Sequence, residues 1–374
     1  MTHIHWLGAG LSSIPGIRRI VSNKHNITVW NRTLEKAEKS INHIDSINAN
    51  ARQLNFEILE KEIKENDIIV SQLSANMHLQ IAELCLRKNS HFVTTSYLSK
   101  EIMNFNDEAK SKNLVFLNEV GLDPGIDHLF THLLVDDLNQ EQFSNITVNY
   151  RSYCGGIPAV SNDFKYKFSW SPIGVIKALN NPAEFISNYK EEKVLQPYKH
   201  VANYKIKNEN FEAYPNRNSL PYIKEYLFPS SWKIKEFVRG TLRLNGWTKA
   251  WKEIFDLLES QPNDLESLII KKSNDLWEKY KYKEDEEDRV VLWVNLEAEK
   301  EGKKIWSGTY HLDEKGFGEN TAMAKLVSIT LSAAIDLMVE KQINSGVQAA
   351  PSNRDIINYF FKILSEYSIK INHK

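Results

Sequence analysis

The first 117 residues alternate between apolar and amphipathic segments, and this alternation limits the folds that the chain can adopt. Strands separated by helices predict a parallel sheet covered on both faces, with a ligand crevice at the carboxyl ends of the strands. We therefore predict an α/β fold whose first domain is a Rossmann-type, doubly wound parallel sheet. The spacing of apolar residues predicts strands at residues 4–7, 27–30, 67–73, 91–95 and 114–117, and helices at residues 34–44, 79–86 and 101–112.

The first predicted strand leads into a glycine turn. Gly8 and Gly10 are followed by a segment with Ile17 and Ile20 at helical spacing, which is the order strand, turn, helix of a dinucleotide site. Ser13 stands where the GxGxxG fingerprint has its third glycine or an alanine. The turn therefore indicates a cofactor site, with a structural β-turn as the alternative.

The second predicted strand ends in Asn31, Arg32 and Thr33, at the position that contacts the adenosine ribose in a Rossmann domain. An NAD site has a carboxylate here, and a carboxylate would repel a 2′-phosphate. The Arg32 guanidinium suits a phosphate, and its neighbours offer neutral hydrogen bonds. This ending favours NADP over NAD, with a surface arginine as the alternative.

Residues 118–129, NEVGLDPGIDHL, close the first domain. Pro124 restricts Asp123 to an extended conformation, and Gly125 permits a positive φ. Asp123 would precede a helix N-terminus, where anions are favoured. It is a candidate site residue, with a capped loop as the alternative. Hydroxyl groups also gather at two strand ends, at Ser71 with Ser74 and at residues 94–97, which indicates a site, with ordinary turn residues as the alternative for any one of them.

The alternation changes after Leu129, which indicates a second, sheet-based domain. Residues 146–150 have the period of a half-buried strand, which the SYCGG segment at residues 152–156 is expected to end. Arg239, Thr241 and Arg243 would share one strand face, which suits carboxylates, with a solvated basic face as the alternative. The remaining predictions are helices at 173–179 and within 247–282, an exposed loop or hairpin tip at 283–289, paired strands at 290–297 and 304–312, and a helix at 321–339 that returns to the first domain, which residues 342–350 and 355–364 complete.

Charge and composition exclude several classes of function. Lys and Arg total 47 against 48 Asp and Glu, so no overall basic field attracts nucleic acid or a membrane. The absence of a leader-like segment and of a 20-residue apolar run favours a cytoplasmic protein. Cys85 and Cys154 are the only cysteines and have no CxxC spacing, which argues against a disulfide framework and a thiolate zinc site. His128 and His132 lie one helical turn apart, but no third ligand is evident, so we expect no metal site.

Six motifs resemble those of the saccharopine dehydrogenase family, in its NADP-dependent, L-glutamate-forming branch. The motifs are TTSY (94–97), NEVGLDPGIDHL (118–129), SYCGG (152–156), FSWSP (168–172), YPNR (214–217) and RGTLR (239–243), and they occur in the family's order over nearly the whole chain. The chain differs from the family at Ser13 and at residues 73–75, where the family has a more apolar, proline-bearing loop.

The resemblance implies an enzyme that interconverts saccharopine with L-glutamate and L-2-aminoadipate 6-semialdehyde. A hydride would pass between NADP and the carbon of a secondary amine, with an imine as intermediate. Asp123 is our first choice for proton exchange, with Tyr97 as a neighbouring hydroxyl and Cys154 as a thiol that lines the site, and no single residue is fixed as the acid or base. The implied substrate-binding residues are Ser96, Tyr97, Asp123, Arg217, Thr241, Leu242 and Arg243.

The resemblance also implies the cofactor-binding residues. The second domain would lean over the nicotinamide in a cleft that closes on the ligand. The implied set comprises Gly8, Gly10, Leu11, Ser12 and Ser13; Asn31, Arg32 and Thr33; Leu73 and Ser74; Thr95 and Ser96; the main chain of Leu122, Asp123, Pro124, Gly125, Ile126, Asp127, His128 and Leu129; and Phe168, Ser169, Trp170 and Ser171.

The resemblance further implies a homodimer formed through the sheet of the second domain. We expect the second domain at residues 125–319, with a helical part at about 245–282. We expect the first domain at residues 1–124 and again at about 320–374. Two other functions remain open: a related amine dehydrogenase, acting on carboxynorspermidine or lysine, and a non-catalytic NADP-binding scaffold. Whether lysine is made or degraded is also open.

Overall fold

The computed structural model describes residues 2–42 and 47–374. The first part of the chain alternates strands and helices as predicted. Its elements are β1 (His3–Leu7), α1 (Ile14–Ser22), β2 (Asn26–Asn31), α2 (Leu34–Ile41), β3 (Ala49–Gln53), α3 (Phe56–Glu62), β4 (Ile68–Ser71), α4 (His78–Lys88), β5 (His91–Thr94), α5 (Lys100–Met103), α6 (Asn106–Ser111), β6 (Val115–Leu117) and α7 (Ile126–Gln140).

Longer strands dominate the rest of the chain. The elements are β7 (Thr147–Pro158), α8 (Pro172–Leu179), β8 (Ala183–Ser187), β9 (Lys190–Val194), β10 (Ala202–Ile206), β11 (Glu209–Pro215), α9 (Pro221–Glu225), β12 (Lys233–Leu244), α10 (Trp247–Ala250), α11 (Lys252–Ser260), α12 (Leu265–Tyr280), β13 (Asp288–Lys300), β14 (Lys303–Gly316), α13 (Ala322–Val339), β15 (Gly346–Gln348), α14 (Arg354–Glu366) and β16 (Asn372–His373).

The chain divides into two compact units. Unit 1 comprises Met1–Leu129 and Ala324–Ser368, and unit 2 comprises Phe130–Met323 and Ile369–Lys374. The last six residues were expected in the first domain. They belong to unit 2 because β16 pairs with β14, where Tyr310 and His373 stack with ring centroids 4.1 Å apart.

Unit 1 is built on a seven-stranded parallel sheet in the order β15-β6-β5-β4-β1-β2-β3. Leu7 at the end of β1 lies beside Trp30 of β2 and Ser71 of β4, so the carboxyl ends of these strands share one edge. The predicted Rossmann-type fold is confirmed.

Two helices of unit 1 approach each other closely at Gly16. Gly16 N donates to Ser328 Oγ over 2.8 Å, and a Cβ on Gly16 would lie 2.3 Å from Ser328 O. Only glycine therefore allows α1 to pack against α13 at this distance. Within the described residues, α13 is the one helix long and apolar enough to cross a membrane, but 78% of it is buried, as expected for a core helix.

Unit 2 contains a nine-stranded mixed sheet. Seven strands follow the order β10-β11-β12-β7-β13-β14-β16, and β8 pairs with β12 and β9. The prediction that the SYCGG segment ends its strand is wrong, because β7 continues to Pro158. Gly155 lies so close to β12 that a Cβ would be 2.6 Å from Leu242 O. Gly155 therefore lets β7 and β12 pack closely, and it does not end β7.

The helical part of unit 2 packs through an aromatic cluster. Phe164, Tyr166, Phe168, Trp247 and Trp251 are all buried in this cluster. Ile254, Phe255 and Leu258 of α11 belong to the same core.

Three local predictions need correction. Residues 101–112 form two short helices, α5 and α6, rather than one. In the predicted loop 283–289, Asp288 is buried and begins β13, because its carboxylate accepts hydrogen bonds from Ala322 N and Met323 N. The helix predicted at 34–44 ends at Ile41, and its residues 43 and 44 lie outside the described residues.

Candidate active site

The glycine turn of unit 1 leaves space beside its backbone. Gly8 has a φ of +103°, and a Cβ there would lie 2.7 Å from Gln72 O, so the turn needs glycine. A Cβ on Gly10 would meet no atom of the described residues within 4 Å. Leu11 is 55% exposed, whereas Ser13 is buried and its side chain does not cap α1. The open backbone before the helix N-terminus fits a pyrophosphate.

The end of β2 supplies the groups expected for a 2′-phosphate. Asn31 Oδ1 accepts from Ala9 N over 3.1 Å, which ties the strand end to the glycine turn. Arg32 and Thr33 are exposed, and no ion pair engages Arg32 in the described part of the chain. Thr33 precedes α2 without a side-chain cap hydrogen bond. These residues therefore fit NADP.

A buried histidine connects the ends of β4 and β5. His78 Nδ1 lies 2.8 Å from Ser71 Oγ, and His78 Nε2 lies 2.8 Å from Ser96 Oγ. Gln72 Nε2 donates to Thr95 Oγ1 over 3.0 Å. The structure therefore joins Ser96 and Thr95 to the strand ends, while Leu73 is half-buried and Ser74 is exposed on the following loop. Our sequence analysis missed His78, although it stands only four residues after Ser74.

Asp123 is the one residue of 118–129 that is not buried. Its carboxylate Oδ1 accepts a hydrogen bond of 3.1 Å from the Tyr97 hydroxyl. The structure thus brings together two of the three predicted catalytic residues. A capped loop does not explain this exposure, because the rest of the segment is turned into the protein.

A buried acid–histidine–acid cluster supports this turn. His128 Nε2 lies 2.7 Å from Glu119 Oε2, and His128 Nδ1 lies 3.5 Å from Asp127 Oδ2. Glu119 also accepts from Leu98 N, and Asp127 accepts from Gly125 N. The cluster holds both ends of the segment that carries Asp123. His132 instead makes an edge contact with Tyr226, and the described residues contain no group of three metal-ligating side chains.

In unit 2, Arg243 lies in an aromatic cage. Its guanidinium carbon is 5.0 Å from the ring centroid of Tyr166, 5.6 Å from that of Tyr214 and 5.5 Å from that of Trp247. Nη2 donates to the Tyr214 hydroxyl and Nη1 to Leu242 O, while the buried Nε has no acceptor in the described part of the chain. Arg243 is only 7% exposed and has no carboxylate partner among those residues.

The strands beside Arg243 carry other predicted substrate residues. Thr241 is paired with Tyr214 on β11 and with Cys154 on β7. Arg239 is 4% exposed, with its guanidinium carbon 4.1 Å from the centroid of the Tyr222 ring. A solvated basic face is therefore wrong, because Arg239 and Arg243 are both buried.

The structure places Arg217 and Leu242 differently from Arg243. Arg217 is exposed in the loop after β11, with a φ of +60°. The Leu242 side chain is fully buried in the core on the other face of β12, so only its main chain is left for a ligand.

The FSWSP segment is divided between core and surface. Phe168 is buried in the aromatic core, Ser169 is 7% exposed, and Ser171 Oγ accepts from Gly174 N at the start of α8. Trp170 is 39% exposed and packs over Gly174.

The parallel sheet, its open glycine turn and the arginine after β2 define an oxidoreductase of the Rossmann-fold class that uses a nicotinamide dinucleotide. Two family matches then assign the chain. Residues 4–117 match the saccharopine dehydrogenase NADP binding domain, and residues 121–369 match the saccharopine dehydrogenase C-terminal domain. The chain belongs to the saccharopine dehydrogenase family and is an NADP-dependent oxidoreductase, which confirms the predictions of family, cofactor and enzyme class.

Curated relatives cover the full length of the chain. Saccharopine dehydrogenase [NADP(+), L-glutamate-forming] of Pyricularia oryzae is 28% identical over 98% of this chain and 98% of its own length. The enzyme of the same name from Schizosaccharomyces pombe is 27% identical over 100% and 99%. The structure of apo saccharopine dehydrogenase (L-Glu forming) from Saccharomyces cerevisiae matches with a TM-score of 0.82 at 24% identity, over 100% of this chain and 99% of that one. This last likeness concerns the fold.

Proposed function

We propose that the chain interconverts saccharopine with L-glutamate and L-2-aminoadipate 6-semialdehyde, using NADP. In the reductive direction the glutamate amine and the aldehyde condense to an imine with loss of water. NADP, when bound as NADPH, supplies the hydride that reduces the imine carbon. The names of the full-length relatives support this substrate, and Arg243 is the observation in this chain that carries it.

Arg243 supports a carboxylate substrate because its charge is buried and no counter-ion lies beside it among the residues that the structure describes. Burial of a guanidinium is costly unless a carboxylate or a set of hydrogen bonds compensates it. The paired residue on β11, Glu212, does not do this, because it accepts hydrogen bonds from Gly246 N at 2.8 Å and from Thr248 N at 2.7 Å. An α-carboxylate of the substrate would supply the missing acceptors.

Asp123 and Tyr97 are the proposed proton-exchange groups. Imine formation and hydrolysis both require a proton to move at the amine nitrogen or at water. Asp123 is partly exposed, and its hydrogen bond from Tyr97 orients the carboxylate. In unit 2 we assign the substrate carboxylates to Arg217, Thr241, Arg243 and the main chain of Leu242, and we place the Cys154 thiol beside Thr241 as a lining group.

The proposed cofactor contacts follow the predicted set. The turn from Gly8 to Ser13 would hold the pyrophosphate, and Asn31, Arg32 and Thr33 the ribose phosphate. Thr95, Ser96 and the loop at Leu73 and Ser74 lie at the same sheet edge and would contact the nicotinamide side. We keep the main chain of residues 122–129 and the polar part of residues 168–171 as further cofactor contacts.

A pair of arginine variants tests the substrate assignment. Arg243→Met keeps an unbranched apolar stem in the aromatic cage but removes the charge. We expect the KM for L-glutamate to rise about 10- to 100-fold, since a hydrogen-bonded charge pair is worth about 1.5–3 kcal/mol. Arg151→Met is the control, because Arg151 lies on β7 and pairs with Glu236 and Glu297. An equal glutamate KM in the wild type and Arg243→Met would overturn the assignment.

The choice of amine separates the alternatives. Wild-type protein is assayed by NADPH oxidation with the semialdehyde plus L-glutamate and then plus diamines, and by NADP reduction with free lysine. Turnover with glutamate alone supports the proposal, whereas turnover with diamines or lysine alone supports a related amine dehydrogenase. NADPH binding without turnover on any amine would support a scaffold.

We also propose that the protein is a cytoplasmic homodimer that binds neither nucleic acid nor membrane. The balanced charge and two buried free cysteines support this location. Sedimentation of the purified protein tests the dimer, which a monomer at micromolar concentration would contradict. Cell fractionation tests the location, which recovery with membranes would contradict.

A further inference from the structure

Ser71, His78 and Ser96 form a line of side chains at the carboxyl edge of the parallel sheet of unit 1. Ser71 ends β4 and is fully buried, and His78 begins α4 and is 4% exposed. Ser96 follows β5 and is only half-buried. Both ring nitrogens lie 2.8 Å from a serine Oγ. The histidine therefore contacts one buried hydroxyl and one that a ligand can reach.

Thr94 links the main chain at Ser71 to the main chain at Ser96. Thr94 Oγ1 donates to Ser71 O over 2.8 Å and accepts from Ser96 N at 3.3 Å. Ser96 O in turn accepts from Glu119 N. These hydrogen bonds join the ends of β4 and β5 and fix the main chain of both serines.

The His78 ring is neutral at pH 7, since burial lowers the pKa of its imidazole to about 4. A neutral imidazole carries one N–H donor and one acceptor nitrogen. One serine therefore donates to the ring, and the other accepts from it.

The burial of Ser71 decides which atom donates in each of the two hydrogen bonds of His78. Its hydroxyl is fully buried and has His78 as its one hydrogen-bond partner within the described residues. If Nδ1 carried the proton, the Ser71 O–H would have no acceptor, and an unmet buried donor is costly. Ser71 therefore donates to Nδ1, and the Nε2–H donates to Ser96 Oγ.

We propose that His78 is a positioning residue that fixes Ser96 as a hydrogen-bond donor to the ligand. Because Nε2–H donates to Ser96 Oγ, the Ser96 hydroxyl does not use its own proton toward His78 and can donate it to an acceptor oxygen of the ligand. The matching ligand groups are the carboxamide oxygen of the nicotinamide and a carboxylate of the amino-acid substrate. This inference rests on the proposed function and names how Ser96 takes part in it.

Nitrogen-15 NMR of histidine-labelled protein measures the tautomer without any turnover. The shifts of the two ring nitrogens distinguish the protonated one from the other, and His78→Gln assigns the signals. We expect a protonated Nε2 and an unprotonated Nδ1 in the wild type, unchanged between pH 8 and pH 5. In Ser71→Ala, which removes the donor to Nδ1, the preference for Nε2–H should weaken. A protonated Nδ1 in the wild type would overturn the proposal.

Kinetics and binding then identify the ligand atom. Ser96→Ala should weaken one ligand about tenfold, as expected for the loss of one hydrogen bond. A higher KM for NADPH, with weaker NADPH binding by fluorescence titration, assigns the carboxamide, and a higher KM for L-glutamate assigns the carboxylate. His78→Leu should reproduce the effect, and His78→Gln should recover part of it, since its amide can donate to Ser96. Unchanged values for both ligands in Ser96→Ala would refute the role of Ser96.

His91 offers a matched control. It is another histidine of the same sheet with a pKa lowered by burial, but it stands at the amino end of β5, where Nδ1 accepts from Val115 N. His91→Leu should lower the melting temperature and leave both ligand affinities unchanged.

The test of His78 is separate from the test of the proposed function. If wild-type protein shows no turnover, the proposed function fails, while the NMR tautomer and the NADPH titration still decide the proposal for His78.

Discussion

The Tyr97 hydroxyl donates a 3.1 Å hydrogen bond to Asp123 Oδ1, and Asp123 is the only residue of the 118–129 segment that is not buried. An oriented carboxylate that reaches the surface of an otherwise buried turn is well placed for proton exchange. Buried contacts among Glu119, Asp127 and His128 stabilise the turn on its buried side. The carboxylate is therefore fixed in position before any ligand arrives.

We expect Asp123→Asn to lower kcat about 10²- to 10⁴-fold in both directions, the usual contribution of a general acid–base group. The side chains have the same shape, so the melting temperature should stay close to that of the wild type. Tyr97→Phe, which leaves the carboxylate in place, should have a smaller effect. Steady-state kinetics in both directions provide the test, and near-normal turnover of Asp123→Asn would remove Asp123 from the proton transfer.

Arg32→Ala should raise the KM for NADPH about 10- to 100-fold and change that for NADH little, because only NADPH has the 2′-phosphate. Arg52→Ala is a suitable control. Arg52 lies on the neighbouring strand β3 but is paired with Glu62 at 2.9 Å. The KM values for NADPH and NADH, measured for both variants, test the 2′-phosphate assignment. Equal effects of Arg32→Ala on NADPH and NADH would refute the 2′-phosphate assignment.

Two glycines of the same region should respond differently to substitution. A Cβ on Gly16 would lie 2.3 Å from Ser328 O, so Gly16→Ala forces α1 and α13 apart and should destabilise the protein by about 1–3 kcal/mol. In the described part of the chain a Cβ on Gly10 meets nothing within 4 Å, so the Gly10→Ala protein should keep its stability and lose NADPH affinity. Thermal unfolding and NADPH titration separate the two. Normal NADPH affinity in Gly10→Ala would contradict the pyrophosphate assignment.

Asp336 links stability to pH. Burial alone would raise the pKa of its carboxyl, but hydrogen bonds from His25 and Arg19, the Arg19 charge and the Tyr359 hydroxyl together lower it below its usual range. A lowered folded-state pKa stabilises the fold above the unfolded-state pKa of about 4, and this contribution is lost as the pH falls through the folded-state value. Asp336→Asn should therefore lose about 3–5 kcal/mol at pH 7 and less below pH 4.

Denaturant unfolding between pH 3 and pH 7 measures this difference. Glu108→Gln is the control, because Glu108 forms an exposed pair with Lys112 and should contribute about 0–1 kcal/mol. A stability difference between wild type and Asp336→Asn that does not change with pH would contradict the charge-based account.

The sequence sufficed for features that depend on local periodicity. The alternation through residue 117 predicted the parallel sheet, and the period of two in β12 placed Arg239, Thr241 and Arg243 on one face. Contacts between distant residues were not predictable. β7 continues through Gly155 because that glycine lies against Leu242, and the Ser71 to Ser96 line depends on how two strand ends are joined. Local turn chemistry also could not show that Asp123 alone stays exposed.

The central claim is that this chain transfers a hydride from NADPH to an imine formed from L-glutamate. Mass spectrometry of the product made from deuterated NADPH, the semialdehyde and L-glutamate tests it most directly. We predict saccharopine carrying one deuterium at the carbon of the new C–N bond, in an amount that depends on Arg243. Deuterium found only in the alcohol formed by direct reduction of the semialdehyde, or NADPH binding with no labelled product, would contradict the account.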